Sequence, residues 1–166
     1  ATVNSMRSDG DGRLWLGVPD QAFVIYDSER RTVVTYDDLP AFRDVNVIST
    51  AVDIEIRSLT GEICIGTFSE GLLVYDPGTE TVKVYSAKTS CLRSDSILAL
   101  ENDRDGNLWI GTSQGMYVLD MRDVLLPMNE FLDQCPEGSA SDNVTDISCA
   151  QDGRIFFAAS EKGVAE

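Results

Sequence analysis

The chain has 166 residues, 43% of them hydrophobic and 25% charged, enough for one domain with a core and too apolar for a disordered segment. Its formal net charge of −15, from 28 acidic and 13 basic residues, excludes nucleic acid and anionic membrane surfaces as natural partners. No run approaches the roughly 18 apolar residues of a membrane span, so direct membrane insertion by this segment is not expected, and the start at Ala1 shows no leader pattern.

In chain order, four short phrases align: Gly12 to Gly17 (GRLWLG), Gly61 to Gly66 (GEICIG), Gly106 to Gly111 (GNLWIG) and Gly153 to Ala158 (GRIFFA). Their first glycines are 49, 45 and 47 residues apart (61−12, 106−61, 153−106), and nine residues before each stands Val3, Val52, Ile97 or Val144. Asp11, Asp105 and Asp152 precede three of these glycines, and Thr60 precedes the other. Later parts of the unit repeat too. Ala22 to Asp27 matches Gly71 to Asp76 and then Gly115 to Asp120, while Thr32 to Tyr36 matches Thr81 to Tyr85.

Each unit therefore reads as four short strands. In the third, Ile97 to Glu101, Leu108 to Thr112 and Gly115 to Leu119 are the first three, with a turn at Asp105-Gly106-Asn107. Asp76-Pro77-Gly78 makes a comparable turn in the second unit. A weak helical period runs from Val124 to Phe131. Four strands per unit of about 45–49 residues is the arithmetic of an all-β propeller blade. The expected organisation is a single propeller fragment over 1–166: blade 1 at 1–38, blade 2 at 45–86, blade 3 at 95–135 and a partial blade 4 at 142–166. About three and a half blades make an incomplete ring, since closed rings have four to eight. Completion is expected either from remaining blades of a longer chain or from a homodimer, whose two halves would total seven.

The phrase from Ile97 to Thr112 (ILALENDRDGNLWIGT), with Gly115 to Asp120, resembles the two-component regulator propeller repeat. The second unit departs from it at Thr60 and at Cys64, where the family favours Trp; the fourth has Phe156 for Trp and Ala158 for the closing glycine. The resemblance implies an extracytoplasmic sensor region: the periplasmic or extracellular part of a bacterial inner-membrane protein, namely a hybrid two-component histidine kinase, many of which control polysaccharide use. The kinase domain would then lie elsewhere in the protein, and this segment itself is not expected to be an enzyme.

The chain contains no histidine, so no Ser-His or Cys-His nucleophilic pair can be drawn and no catalytic residue is assigned. Propeller lyases that share an Asp-Gly-x-x-Trp phrase use an active-site histidine, which leaves a lyase or hydrolase fragment as one alternative and a protein-interaction propeller without a small ligand as another. No cofactor or metal is expected. Asp103, Asp105 and Asn107 alternate like a calcium loop, but Leu108 stands where that loop needs glycine, so they read as a turn. Cys64 and Cys149 read as strand residues, Cys91 and Cys135 as loop thiols. Gly12, Trp15, Gly17, Gly61, Gly66, Gly106, Trp109, Gly111 and Gly153 are the structural repeat, with the tryptophans in core packing.

If a ligand such as an oligosaccharide binds, it should meet the loops gathered on one face: 37–46, 86–96, 128–143 and the turns at 68–70 and 113–114. There Phe42, Arg43, Phe68, Arg93 and Gln114 are the side chains able to stack on or hydrogen-bond a neutral sugar. The 121–143 connection, with Pro127, Cys135 and Pro136, is longer than its counterparts and reads as a recognition loop or a decorated edge.

Overall fold

The computed structural model describes residues 2–19, 21–45, 47, 49–128, 143–160 and the backbone of 163–165. Its strands are β1 (Ser5–Ser8), β2 (Arg13–Gly17), β3 (Phe23–Asp27), β4 (Thr32–Thr35), β5 (Ala51–Ile56), β6 (Ile63–Thr67), β7 (Leu72–Asp76), β8 (Thr81–Tyr85), β9 (Ile97–Asn102), β10 (Leu108–Thr112), β11 (Gly115–Leu119), β12 (Leu125–Pro127), β13 (Val144–Cys149), β14 (Ile155–Ala159) and β15 (Gly163–Ala165). They form antiparallel sheets in sequence order, β1–β4, β5–β8, β9–β12 and β13–β15, which are blades 1 to 4 of an open propeller array.

One expectation is corrected. The weak helical period from Val124 is overridden between Leu125 and Pro127, which pair with Leu119 and Tyr117 as the fourth strand of blade 3. A helix there would leave the outer edge of β11 unpaired. Phe131, Cys135, Pro136 and most of the long connection lie outside the described residues.

The strands alternate side chains between two faces, and the faces explain the array. The leading face of blade 1 packs on blade 2: Trp15, Phe23 and Ile25 meet Ile54, Ile63, Ile65, Leu73 and Tyr75 in one buried cluster. On blade 2 the leading residues Cys64, Leu72 and Val74 pack on Leu100, Leu108, Ile110 and Tyr117 of blade 3. Blade 3 then sets Ala99, Met116 and the half-buried Trp109 against Ile147 and Phe157 of blade 4. A close approach fixes each seam. A Cβ built on Gly17, Gly66 or Gly111 would stand 2.8, 2.6 or 2.9 Å from Ala51, Ile97 or Val144 of the next blade, so the repeated glycine sets blade spacing.

Along the inner strands, polar side chains step from each blade to the next. The Ser5 hydroxyl donates to Asp53 Oδ1 (2.8 Å) and accepts from the Ile54 N–H (3.0 Å). Asp53 Oδ2 accepts from the Leu100 N–H (2.9 Å), and Glu101 Oε1 accepts from the Cys149 N–H (3.2 Å). Arg7 donates to Glu55 (2.8 Å), which also accepts from Asn102 (2.9 Å). Burial, then the nearby charges of Glu55 and Asp53, push the Glu101 carboxyl above its ordinary range, against the opposing Cys149 hydrogen bond.

The β1–β2 and β9–β10 turns are held by one carboxylate each. Asp103 accepts from the Asp105 and Asn107 N–H groups (both 2.9 Å), from Asn107 Nδ2 (2.8 Å) and from the Trp109 indole (2.9 Å). Asp9 does the same for Asp11, Arg13 and Trp15, whose indole lies 3.1 Å away. Burial opposes charge on both aspartates, but these donors win and hold both below the ordinary carboxylate range. Thus 103–107 is a turn, with Trp15 buried in the core and Trp109 half-buried against the blade 3–blade 4 cluster, each on a polar tether.

Blade 2 replaces this tether. Arg57, whose N–H donates to the Glu62 carbonyl as that of Asp103 does to Asn107, stands where blades 1 and 3 have aspartate. With Cys64 in place of Trp it needs no acceptor there. Its guanidinium is 1% exposed and reaches Glu62 (2.9 Å), Asp123 (2.7 Å) and the Asp120 carbonyl (2.9 Å), the last two on blade 3. Lys83 also pairs with Asp123.

Candidate functional site

Two buried threonines shape the turns of the loop face. Thr67 Oγ1 donates to the Gly71 carbonyl (2.8 Å) and accepts from the Glu70 N–H (2.9 Å). Thr112 Oγ1 donates to the Gly115 carbonyl (2.8 Å) and accepts from the Gln114 N–H (3.0 Å). Such turns end β6 and β10 tightly and direct residues 68–70 and 113–114 outward. The inter-blade connections are tied to them through the backbone: Phe68 N–H to Thr50 O (3.3 Å), Gly71 N–H to Asp95 O (2.9 Å) and Ser113 N–H to Ser96 O (3.1 Å). The β4–β5 and β8–β9 connections and the two turns therefore share one face.

On that face a groove of about 340 Å³ lies on the outer part of blade 2. Val84 on β8 and the half-buried Val45 give it an apolar side, above the buried Leu73 that pairs with Val84. Its rim carries the carboxylates of Asp44, Glu70 and Asp95, the hydroxyls of Ser69 and Ser86, and the Lys88 amine. Glu70 is oriented by the hydroxyls of Ser49 and Ser69, the latter at 2.9 Å, and Asp95 Oδ1 accepts from the Ala87 N–H (2.7 Å). Carboxylates held by their own loops need no reordering to accept hydrogen bonds from a ligand.

Among the side chains expected here, Phe42 is corrected. It is 2% exposed and packs against Phe23 and Tyr75 with ring centroids 5.2 and 5.4 Å away. The 3₁₀ turn Pro40–Phe42 folds this apolar ring inward, where it closes the blade 1–blade 2 core. Arg43, Arg93 and Gln114 are exposed, and Phe68 is 62% exposed on the β6–β7 turn. Arg93 and Gln114 come to the same junction: the Arg93 N–H donates to the Tyr117 hydroxyl (3.0 Å), and Ser94 and Ser113 share a hydrogen bond (2.7 Å). The groove itself is lined by Asp44 and Ser69, the neighbours of Arg43 and Phe68, and by residues sequence reasoning passed over. Among the described residues no group of three or more His, Cys, Asp and Glu side chains is arranged to hold a metal ion. Nor is any described helix long and apolar enough to cross a membrane.

Residues 91–114 match the family model of the two component regulator propeller. No curated protein matches the chain. Among solved structures, the extracellular domain of a B. thetaiotaomicron protein described as a hybrid two component system superposes with a TM-score of 0.75 at 19% identity, covering 99% of this chain and 24% of that one. The extracellular domain of a B. thetaiotaomicron protein described as a one component system gives 0.60 at 17% identity, covering 99% and 27%. A streptogramin B lyase gives 0.68 at 11% identity, covering 93% and 47%. These likenesses show the propeller fold, and the chain spans about a quarter of the two extracellular domains.

Proposed function

We propose that this run of two-component regulator propeller repeats is a ligand-sensing segment of an extracytoplasmic sensor region, and that its groove takes a neutral carbohydrate. The groove carries this reading. A sugar alternates hydroxyl edges with apolar C–H faces, and the groove sets oriented carboxylate acceptors beside the apolar side chains of Val45 and Val84. The match of residues 91–114 and the extracellular character of the two superposed domains support the sensor context. The segment would act by binding; a chain without histidine has no Ser-His or Cys-His nucleophilic pair. Signal would arise if one arrangement of the sensor holds the ligand more tightly than another.

Titration of the segment with a panel of neutral oligosaccharides, followed by calorimetry and backbone amide shifts, tests this. At least one should move the resonances of Ser69, Glu70 and Lys88, and Glu70→Ala should weaken it about tenfold, the loss of one charge-assisted hydrogen bond. Shifts confined to other faces, or an affinity indifferent to Glu70→Ala, would overturn the assignment.

A further inference from the structure

We propose, resting on the ligand-binding reading of the groove, that a ligand there clamps the two inter-blade connections flanking blade 2, so that binding and closure of the first two seams are one equilibrium. The groove draws on separate parts of the chain. Asp44 comes from the β4–β5 connection out of blade 1, and Glu70 from the β6–β7 turn of blade 2. Lys88 and Asp95 come from the β8–β9 connection into blade 3. A saccharide long enough to meet all three touches both connections at once. Among the described residues, none that lines the groove belongs to blade 4.

Hydroxyls outside the groove hold its carboxylates to these connections. Ser49 donates to Glu70 Oε2 and accepts from the Ser69 N–H (3.2 Å). Two residues on, the Ala51 N–H crosses the first seam to the Ala22 carbonyl of blade 1 (3.0 Å). On the other side the Gly71 N–H of blade 2 donates to the Asp95 carbonyl (2.9 Å), while Ser94 shares a hydrogen bond with Ser113 of blade 3 (2.7 Å). Leu92, in the same connection, is buried and packs in the second seam. Glu70 and Asp95 therefore line one groove at this spacing of blades 1, 2 and 3, and a sliding blade would draw them apart. Ser49 and Ser113 do not line the groove and are positioning residues. A ligand that favours this spacing stabilises both seams by the same free energy with which the closed seams favour the ligand.

Calorimetric titration with neutral hexasaccharides of glucose, xylose, mannose and arabinose tests this, with amide hydrogen exchange as the second measurement. For a hexasaccharide that binds wild type, Ser49→Ala and Ser113→Ala should each weaken affinity about fivefold, the loss of one orienting hydrogen bond. Ser49→Thr and Ser113→Thr keep the hydroxyl and should restore it. In a Glu70→Ala background Ser49→Ala should weaken binding no further, and Ser113→Ala no further in an Asp95→Ala background, which separates positioning from a general loss of structure. The bound sugar should slow exchange of the Ala51 and Leu100 amides, which cross the first and second seams, and leave the Cys149 amide, which crosses the third, unchanged. Binding indifferent to both alanine variants, effects that persist in the Glu70→Ala and Asp95→Ala backgrounds, or protection as strong at Cys149 as at Ala51 would overturn the clamp and leave the groove a simple binding site. Failure of every hexasaccharide to bind would overturn the ligand reading itself, and the clamp with it.

Discussion

The Asp103–Trp109 tether yields a quantitative prediction. Asp103→Ala removes a carboxylate that accepts four hydrogen bonds, leaving the half-buried Trp109 N–H and two turn N–H groups without it. The turn amides can turn to water, whereas the indole cannot do so freely in the seam with blade 4. The cost should be that of one unmatched donor plus one charge-assisted bond, about 2–3 kcal/mol, or roughly 4–12 °C in melting temperature. Trp109→Phe removes the donor instead, reproducing what blade 4 has natively with Phe156. In that background Asp103→Ala should cost less by about 1–2 kcal/mol, the coupling energy of the tether. Thermal melts of the four proteins, followed by circular dichroism, measure the cycle. The pH dependence has a definite sign: Asp103 is held below the ordinary range, so its stabilisation is present above the unfolded value of about 3.9 and is lost as pH falls towards its folded value. A coupling energy indistinguishable from zero, or wild type and Asp103→Asn losing stability in parallel below pH 4, would refute the reasoning.

Other substitutions probe the remaining contacts. Arg57→Ala strips a buried cation from Glu62 and Asp123 and should cost about 3 kcal/mol by denaturant titration. Phe42→Ala opens the aromatic cluster and should cost about 3–5 kcal/mol. Glu101→Gln keeps an acceptor for Cys149 while removing a charge that burial disfavours. It should raise stability at neutral pH relative to wild type, with the advantage gone once pH falls below the unfolded glutamate value of about 4.3. Under native conditions a thiol reagent should label the exposed Cys91 quickly and Cys64 only on unfolding, since burial pushes the Cys64 thiol far up.

The blades were legible because strand, turn and seam residues recur at fixed offsets: the third unit's strands begin at Ile97, Leu108 and Gly115 as the repeat implies. The tether was legible in principle as well. An aspartate stands six residues before each tryptophan, at Asp9 and Asp103, whereas Ser58 and Ala150 stand six residues before Cys64 and Phe156 in the units without tryptophan. That correlation is visible only once the hydrogen bond suggests pairing the two columns. The groove was legible as loops but not as side chains: Asp44, Glu70, Lys88 and Asp95 fall in the stretches 37–46, 68–70 and 86–96 expected to meet a ligand, yet they come from three separate parts of the chain with no shared spacing to single them out. Phe42 was misplaced for a related reason: an aromatic residue in a loop looks available until Pro40–Phe42 turns it into a gap between two sheets.

The three described seams differ in what fills them. The first holds a cluster of aromatic rings, the second interleaved aliphatic side chains with Tyr117, and the third chiefly Ala99, Met116, Val144 and Phe157. In an array where each unit touches only its neighbours, such a gradient becomes an order of opening. Amide exchange in this segment should read the seams one by one, with the blade 1–blade 2 pair, held by its rings, the last to surrender its protons.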